Sequence, residues 1–190
     1  MRTIKISVGY GWSDGPVNKD ERWQGLREFC RAAADHGRKM AAAALTSSVS
    51  YEEQESSKRS ADVALPGVTV ARLRASVGRF TWESVRQHID SSDILLFDLT
   101  PTKRSDSGLA YLSANVWIEI GYALAKPQKP VFIVHSDTDG YKDLPSNLSG
   151  LVIGHLPSKT QKKNDVSLRM SLASEVRKLA IQHAEDAALV

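Results

Sequence analysis

Cysteine is almost absent from this chain. Cys30 is the only one among 190 residues, which excludes an intrachain disulfide and a four-cysteine metal site. Long apolar runs are missing as well; none approaches the about 18 residues that a membrane span requires. The opening Met1-Arg2-Thr3-Ile4-Lys5-Ile6 alternates polar and apolar residues and lacks a signal-peptide core, so a cytoplasmic protein is expected. An excess of one charge is also missing. Lys and Arg number 25 against 22 Asp and Glu, a net charge of +3, although the isoelectric point is about 9.0. So small an excess permits an anionic ligand without demanding nucleic acid, and neither a nucleic-acid nor a membrane partner is expected. The histidines (His36, His88, His135, His155, His183) are scattered without metal-ligand spacing, so no metal is expected. Gly9-Tyr10-Gly11 lacks the third glycine of a dinucleotide fingerprint, no Walker-type loop occurs, and no cofactor is expected.

What is present is ordinary for a globular domain: 42% apolar and 25% charged residues. The length supports one full core, and a single domain over residues 1–190 is expected. Ile4, Ile6 and Val8 alternate with Lys5 and Ser7 as a first strand ending near Gly9-Tyr10-Gly11. Trp23, Leu26, Phe29 and Ala33 then recur at helical spacing, which predicts a helix from Glu21 to His36 with Gly37 as its C-cap. Met40 to Leu45 holds good helix formers, and the polar Ser47 to Ser60 is read as a helix tail or an insertion over a site, a candidate lid. Val68 to Leu73 reads as a short strand, and Thr81 as the N-cap of a helix carrying Trp82, Val85 and Ile89. The run from Asp93 to Thr100 does not alternate, as expected of a parallel strand buried on both faces. A loop through Pro101 and Gly108, a helix from Ala114 to Ala125, a strand from Val131 to Val134 and a loop from Asp137 to Gly150 follow. A strand from Leu151 to Leu156, a Lys-rich linker from Ser158 to Asp165 and a helix from Val166 to Ala184 complete the pattern.

Strands separated by helices imply right-handed crossovers. The expected fold is α/β: a flavodoxin-like, doubly wound sheet of about five parallel strands with helices on both faces. Ligands bind such sheets outside the carboxyl ends of the strands, where the strand order reverses. Three groups should meet there: Tyr10, Gly11 and Trp12 after the first strand, Asp98 and Thr100 at the end of the central one, and Asn115 with Glu119 on the helix after it. Asn115 and Glu119 are four apart and share a helical face. Glu119 lies in an otherwise apolar helix, at a solvent-facing edge or in a cleft. Gly121 costs that helix about 1 kcal/mol relative to Ala, and is read as close packing on a strand or as room for a ligand. Asp98 also fits a strand terminus that caps the next loop, and Thr100 a simple strand end. Cys30 and most of the tryptophans fit core packing; Trp12 lies in a loop where a base could stack.

The string from Ser92 to Thr100, then Asn115 to Ala125 with its Asn-x-x-x-Glu-x-Gly-x-Ala core, then Lys129 to Val134, resembles the nucleoside 2-deoxyribosyltransferase-like superfamily. It also resembles the TIR-like nucleotide-binding proteins of bacteria. Asp143 to Gly150 is similar to a recurrent segment of both, and the likeness covers Trp82 to Leu156 plus the first strand's tip. The resemblance implies that Glu119 is the catalytic carboxylate at the sugar C1′. There it would offset the positive charge of an oxocarbenium-like transition state. It also implies that Tyr10, less securely Trp12, orients the nucleophile. Ser113 stands where deoxyribosyltransferases carry an acidic residue, and Gly9-Tyr10-Gly11-Trp12 departs from their small-residue turn. Both departures favour the TIR-like or nucleotide-hydrolysing side.

The expected function is therefore a hydrolase, an N-glycosidase acting on NAD or a nucleoside monophosphate. Glu119 and Asp98 would be catalytic, and Tyr10, Gly11, Trp12, Thr100 and Asn115 would bind substrate. The alternative is a non-catalytic nucleotide-binding sensor or adaptor. The expected partners are a nucleotide or nucleoside and further copies of the chain in a homo-oligomer.

Overall fold

A computed structural model describes residues 2–10, 19–47, 64–73, 81–100, 103–104, 110–111, 113–126, 129–135, 152–155 and 166–189. Strand β1 spans Ile4–Tyr10 and helix α1 spans Lys19–Ser47. Strand β2 (Val68–Arg72), helix α2 (Thr81–Asp90) and strand β3 (Ile94–Asp98) follow. Two short strands, β4 (Lys103–Arg104) and β5 (Ala110–Tyr111), precede helix α3 (Ala114–Leu124). Strands β6 (Val131–His135) and β7 (Val152–His155) and helix α4 (Val166–Ala188) complete the order.

Five strands form one parallel sheet in the order β2-β1-β3-β6-β7. Counted along the chain this is 2-1-3-4-5, the flavodoxin-like order. The fold is thus α/β and doubly wound, as the run of strands and helices predicted. The strand order reverses between β1 and β3, where Tyr10 is in register with Asp98. All five residues of β3 are buried, so a strand covered on both faces reads as one apolar run.

Side-chain alternation divides the interior in two. Ile4, Ile6, Val8, Ile94, Leu96, Phe132 and Val134 pack with α1 (Leu26, Cys30, Ala33) and α4 (Leu168, Leu172, Val176). Leu95, Phe97, Val131 and Ile133 face the other way, onto α2 (Val85, Ile89) and α3 (Val116, Ile120, Ala123). Cys30 lies in the first layer, and burial pushes its thiol up to about 12. No helix among the described residues is long and apolar enough to cross a membrane.

Several local expectations are corrected. Gly37 does not cap α1; the helix continues through it to Ser47. The glycine sits where α1 crosses α4. A Cβ added there would lie 2.9 Å from the Val176 Cβ and closer still to the Ala173 carbonyl oxygen, so its missing side chain serves the crossing. Gly121 is the reverse case. It is exposed, a Cβ there would meet nothing within 4 Å, and it is not packed on a strand. The loop through Pro101 and Gly108 contains the antiparallel β4–β5 pair. Trp82 is not core: it is 40% exposed and meets the Tyr122 ring edge-on, with centroids 5.6 Å apart. Most of the candidate lid, the 137–150 loop and the Lys-rich linker lie outside the described residues.

The two glycines give a paired prediction. Gly37→Ala is expected to lower stability by up to about 2 kcal/mol, because overpacking costs about 1–3 kcal/mol and the better helix propensity returns only about 1. Gly121→Ala is expected to raise stability by about 0.5–1 kcal/mol. Urea denaturation of both variants checks this; a shift of the same sign in both would refute the packing account.

Candidate functional site

The carboxyl ends of β1 and β3 carry the candidate residues, and the pleat sorts them onto opposite faces. Gly9 faces α3. A Cβ built on Gly9 would lie 2.6 Å from the Phe97 ring and 2.8 Å from Glu119 Oε2. The missing side chain therefore lets α3 lay the Glu119 carboxyl directly on the end of β1. Glu119 is half-buried, and no described residue donates a hydrogen bond to it. Loss of water around the carboxylate pushes its pKa up from 4.5 to about 7. Near neutral pH the group is poised between a carboxylic acid, which donates one hydrogen bond, and a carboxylate, which only accepts.

Asp98 and Tyr10 turn the other way, towards α1. Asp98 is buried. Its Oδ2 accepts from Arg22 Nε at 2.6 Å, and its Oδ1 accepts from Thr100 N at 2.8 Å and Thr100 Oγ1 at 2.6 Å. Arg22 Nη2 also reaches the Thr100 carbonyl, at 3.4 Å. The side chains of Arg22 and Asp98 are 10% and 1% exposed, so this is a desolvated ion pair joining the first turn of α1 to the end of β3. Tyr10 stacks on Trp23 of α1, with centroids 6.4 Å apart and planes 13° from parallel. The Arg72 guanidinium lies over both rings, 4.7 Å from the Trp23 centroid and 5.7 Å from that of Tyr10.

The expected constellation is thus only partly assembled. Asp98 and Thr100 are bonded to each other, and Tyr10 is their neighbour in register. Glu119 stands across the sheet from them, against Gly9 and Phe97. Asn115 is exposed on the first turn of α3, one turn before Glu119. Gly11 and Trp12 lie outside the described residues. Three residues at this edge were not singled out from sequence: Gly9 as the seat of the carboxyl, Arg22 and Arg72. Arg22 did leave a signal. It is a cation in the first turn of a helix, the end that favours anions, so a partner was to be sought.

The chain matches no protein-family model and no curated protein. Among solved structures it is similar to the rubredoxin oxygen:oxidoreductase of Desulfovibrio gigas, at 12% identity and TM-score 0.38, over 99% of this chain and 37% of that one. It therefore spans little more than a third of that protein. It is also similar to an oxidoreductase of Corynebacterium diphtheriae, at 11% identity and TM-score 0.48, over 95% and 98% of the two chains. A third similar structure is the flavodoxin, WrbA-like protein of Agrobacterium tumefaciens, at 11% identity and TM-score 0.35, over 97% and 99%.

The expectation of a hydrolase, and of an N-glycosidase in particular, is corrected here. The three solved structures named above are two oxidoreductases and a flavodoxin. Glycosidic cleavage uses a carboxylic acid and a carboxylate that flank one sugar carbon. In this structure Asp98 and Tyr10 are turned to the face of the sheet opposite Glu119. Flavodoxins hold FMN at this edge. The segments that follow β1 and β3 at this edge, residues 11–18 and 101–102, lie outside the described residues.

Proposed function

We propose that this protein binds a nucleotide across the carboxyl edge of β1 and β3, as a sensor or adaptor module that does not turn its ligand over. One observation carries the proposal: the Glu119 carboxyl rests on Gly9 at the point where the strand order reverses. That is where open α/β sheets take ligands. A carboxyl with a pKa of about 7 suits the polar edge of a nucleobase, since it both donates and accepts there. The resemblance of the Asn115–Gly121 string to nucleotide-handling families supports the same ligand class. Self-association and a cytoplasmic setting belong to this proposal.

The test is calorimetric titration with NAD, AMP, GMP, CMP and FMN at pH 6 and pH 8, followed by chromatography of the incubated ligand. Saturable binding of at least one of the first four, without released base, is expected. Its affinity should fall at least tenfold in Glu119→Gln or change with pH across 7. Release of nicotinamide or free base, or retention of FMN alone with its visible absorbance, would sink the proposal.

A further inference from the structure

The α1 face of this edge carries a second feature that the nucleotide reading does not use. Arg72 ends β2, and its guanidinium is packed flat against the Trp23 and Tyr10 rings. Its side chain is 16% exposed, and among the described residues only Nη2 has a carboxylate, Asp20 Oδ1 at 3.2 Å. Asp20 is itself 77% exposed, so water competes for that contact. The Arg72 Nε is buried and has no hydrogen-bond partner among the described residues. A buried, unmatched N–H on a charged group is costly, and a fixed guanidinium plane presents Nε and Nη together as a fork for two anionic oxygens. Arg22, also at this edge, cannot play this part, because its Nε is taken by Asp98. Strand register puts Arg72 level with Val8, two residues below the tip of β1.

We infer that Arg72 is the receptor of an anion site at the tips of β2 and β1, and that its ligand is a phosphate or pyrophosphate group. The aromatic pair fixes the guanidinium plane, and the phosphate oxygens supply the acceptors that Nε lacks. Asp20 holds one edge of the guanidinium until the anion displaces it. As the phosphate end of a nucleotide this site rests on the function proposed above; as a site for pyrophosphate it does not.

The test is titration of the full chain with pyrophosphate, AMP and adenosine, using wild type, Arg72→Gln and Arg72→Lys, with thermal unfolding to establish that each variant is folded. Pyrophosphate and AMP should bind the wild type, AMP more tightly than adenosine. Arg72→Gln should weaken both anions at least tenfold and leave adenosine unchanged, with Arg72→Lys in between because one ammonium cannot form the fork. Absence of pyrophosphate binding to the wild type, or equal anion affinity in wild type and a folded Arg72→Gln, overturns the site. Loss of adenosine and AMP binding in equal measure also overturns it. Pyrophosphate binding lost in Arg72→Gln, with no affinity of the wild type for AMP beyond that for pyrophosphate, supports the site and rejects the nucleotide proposal alone.

Discussion

Asp98→Ala is expected to destabilise the protein by about 3–5 kcal/mol, the usual cost of leaving one partner of a buried ion pair alone. Arg22 is only 10% exposed and would retain its charge against the end of β3 with no carboxylate on Nε. Thr100 would lose the acceptor of both its backbone N–H and its hydroxyl, so the chain leaving β3 would lose its turn as well. The large effect comes from the stranded charge, not from a large net contribution of the intact pair. The double variant Arg22→Met with Asp98→Ala should therefore recover part of the loss, since no buried charge is then left unmatched. Denaturant unfolding of the two variants measures both effects. A single variant within about 1 kcal/mol of the wild type would show the pair to be more hydrated than its burial implies.

The second large effect is a pH dependence of stability located at Glu119. Its folded pKa of about 7 lies above the ordinary 4.5, so the folded state holds a proton that the unfolded chain releases. Below 4.5 both states are protonated and the group contributes nothing. As pH rises from 4.5 through 7, stability falls, and above 7 the whole cost is present. At about 1.4 kcal/mol for each unit of pKa, that cost reaches up to roughly 3 kcal/mol. Glu119→Gln carries no charge at any of these pH values. It should match the wild type near pH 4.5 and exceed it by up to roughly 3 kcal/mol at pH 8. Urea midpoints at the two pH values decide this. An equal difference at both would mean that the carboxylate is hydrated where it lies on Gly9.

These expectations show how far the residues alone could lead. The runs Ile94–Asp98 and Val131–His135 were legible as strands because burial on both faces removes alternation, and β1 by its alternation of Ile4, Ile6 and Val8. The two-residue strands of the β4–β5 pair were not, since so short a strand has no period to read. The end of α1 was misplaced because a glycine after an apolar stripe is ambiguous: it marks a helix end or a close crossing. Only the position of α4, with Ala173 and Val176 against Gly37, resolves which. Gly121 posed the same question and received the opposite answer. Lys129 is a further case. Its ammonium donates to the Ile89 and Ser92 carbonyls at 2.8 Å each, and so closes the end of α2 from about forty residues away.

Composition and periodicity by themselves determined the class of fold and which segments build the sheet, because both follow from how apolar side chains repeat along the chain. They also brought Asp98, Thr100, Tyr10 and Glu119 to one edge, since strands of a parallel sheet all end on the same side. What only the tertiary structure decided was the face. Tyr10 and Asp98 lie one residue after Gly9 and Phe97, and that single step turns them from α3 to α1. Which helix waits on each face depends on the crossovers, not on local pattern. That is why Asp98 meets Arg22 and not Glu119, and why the carboxyl of Glu119 finds a glycine beneath it and no cation beside it among the described residues.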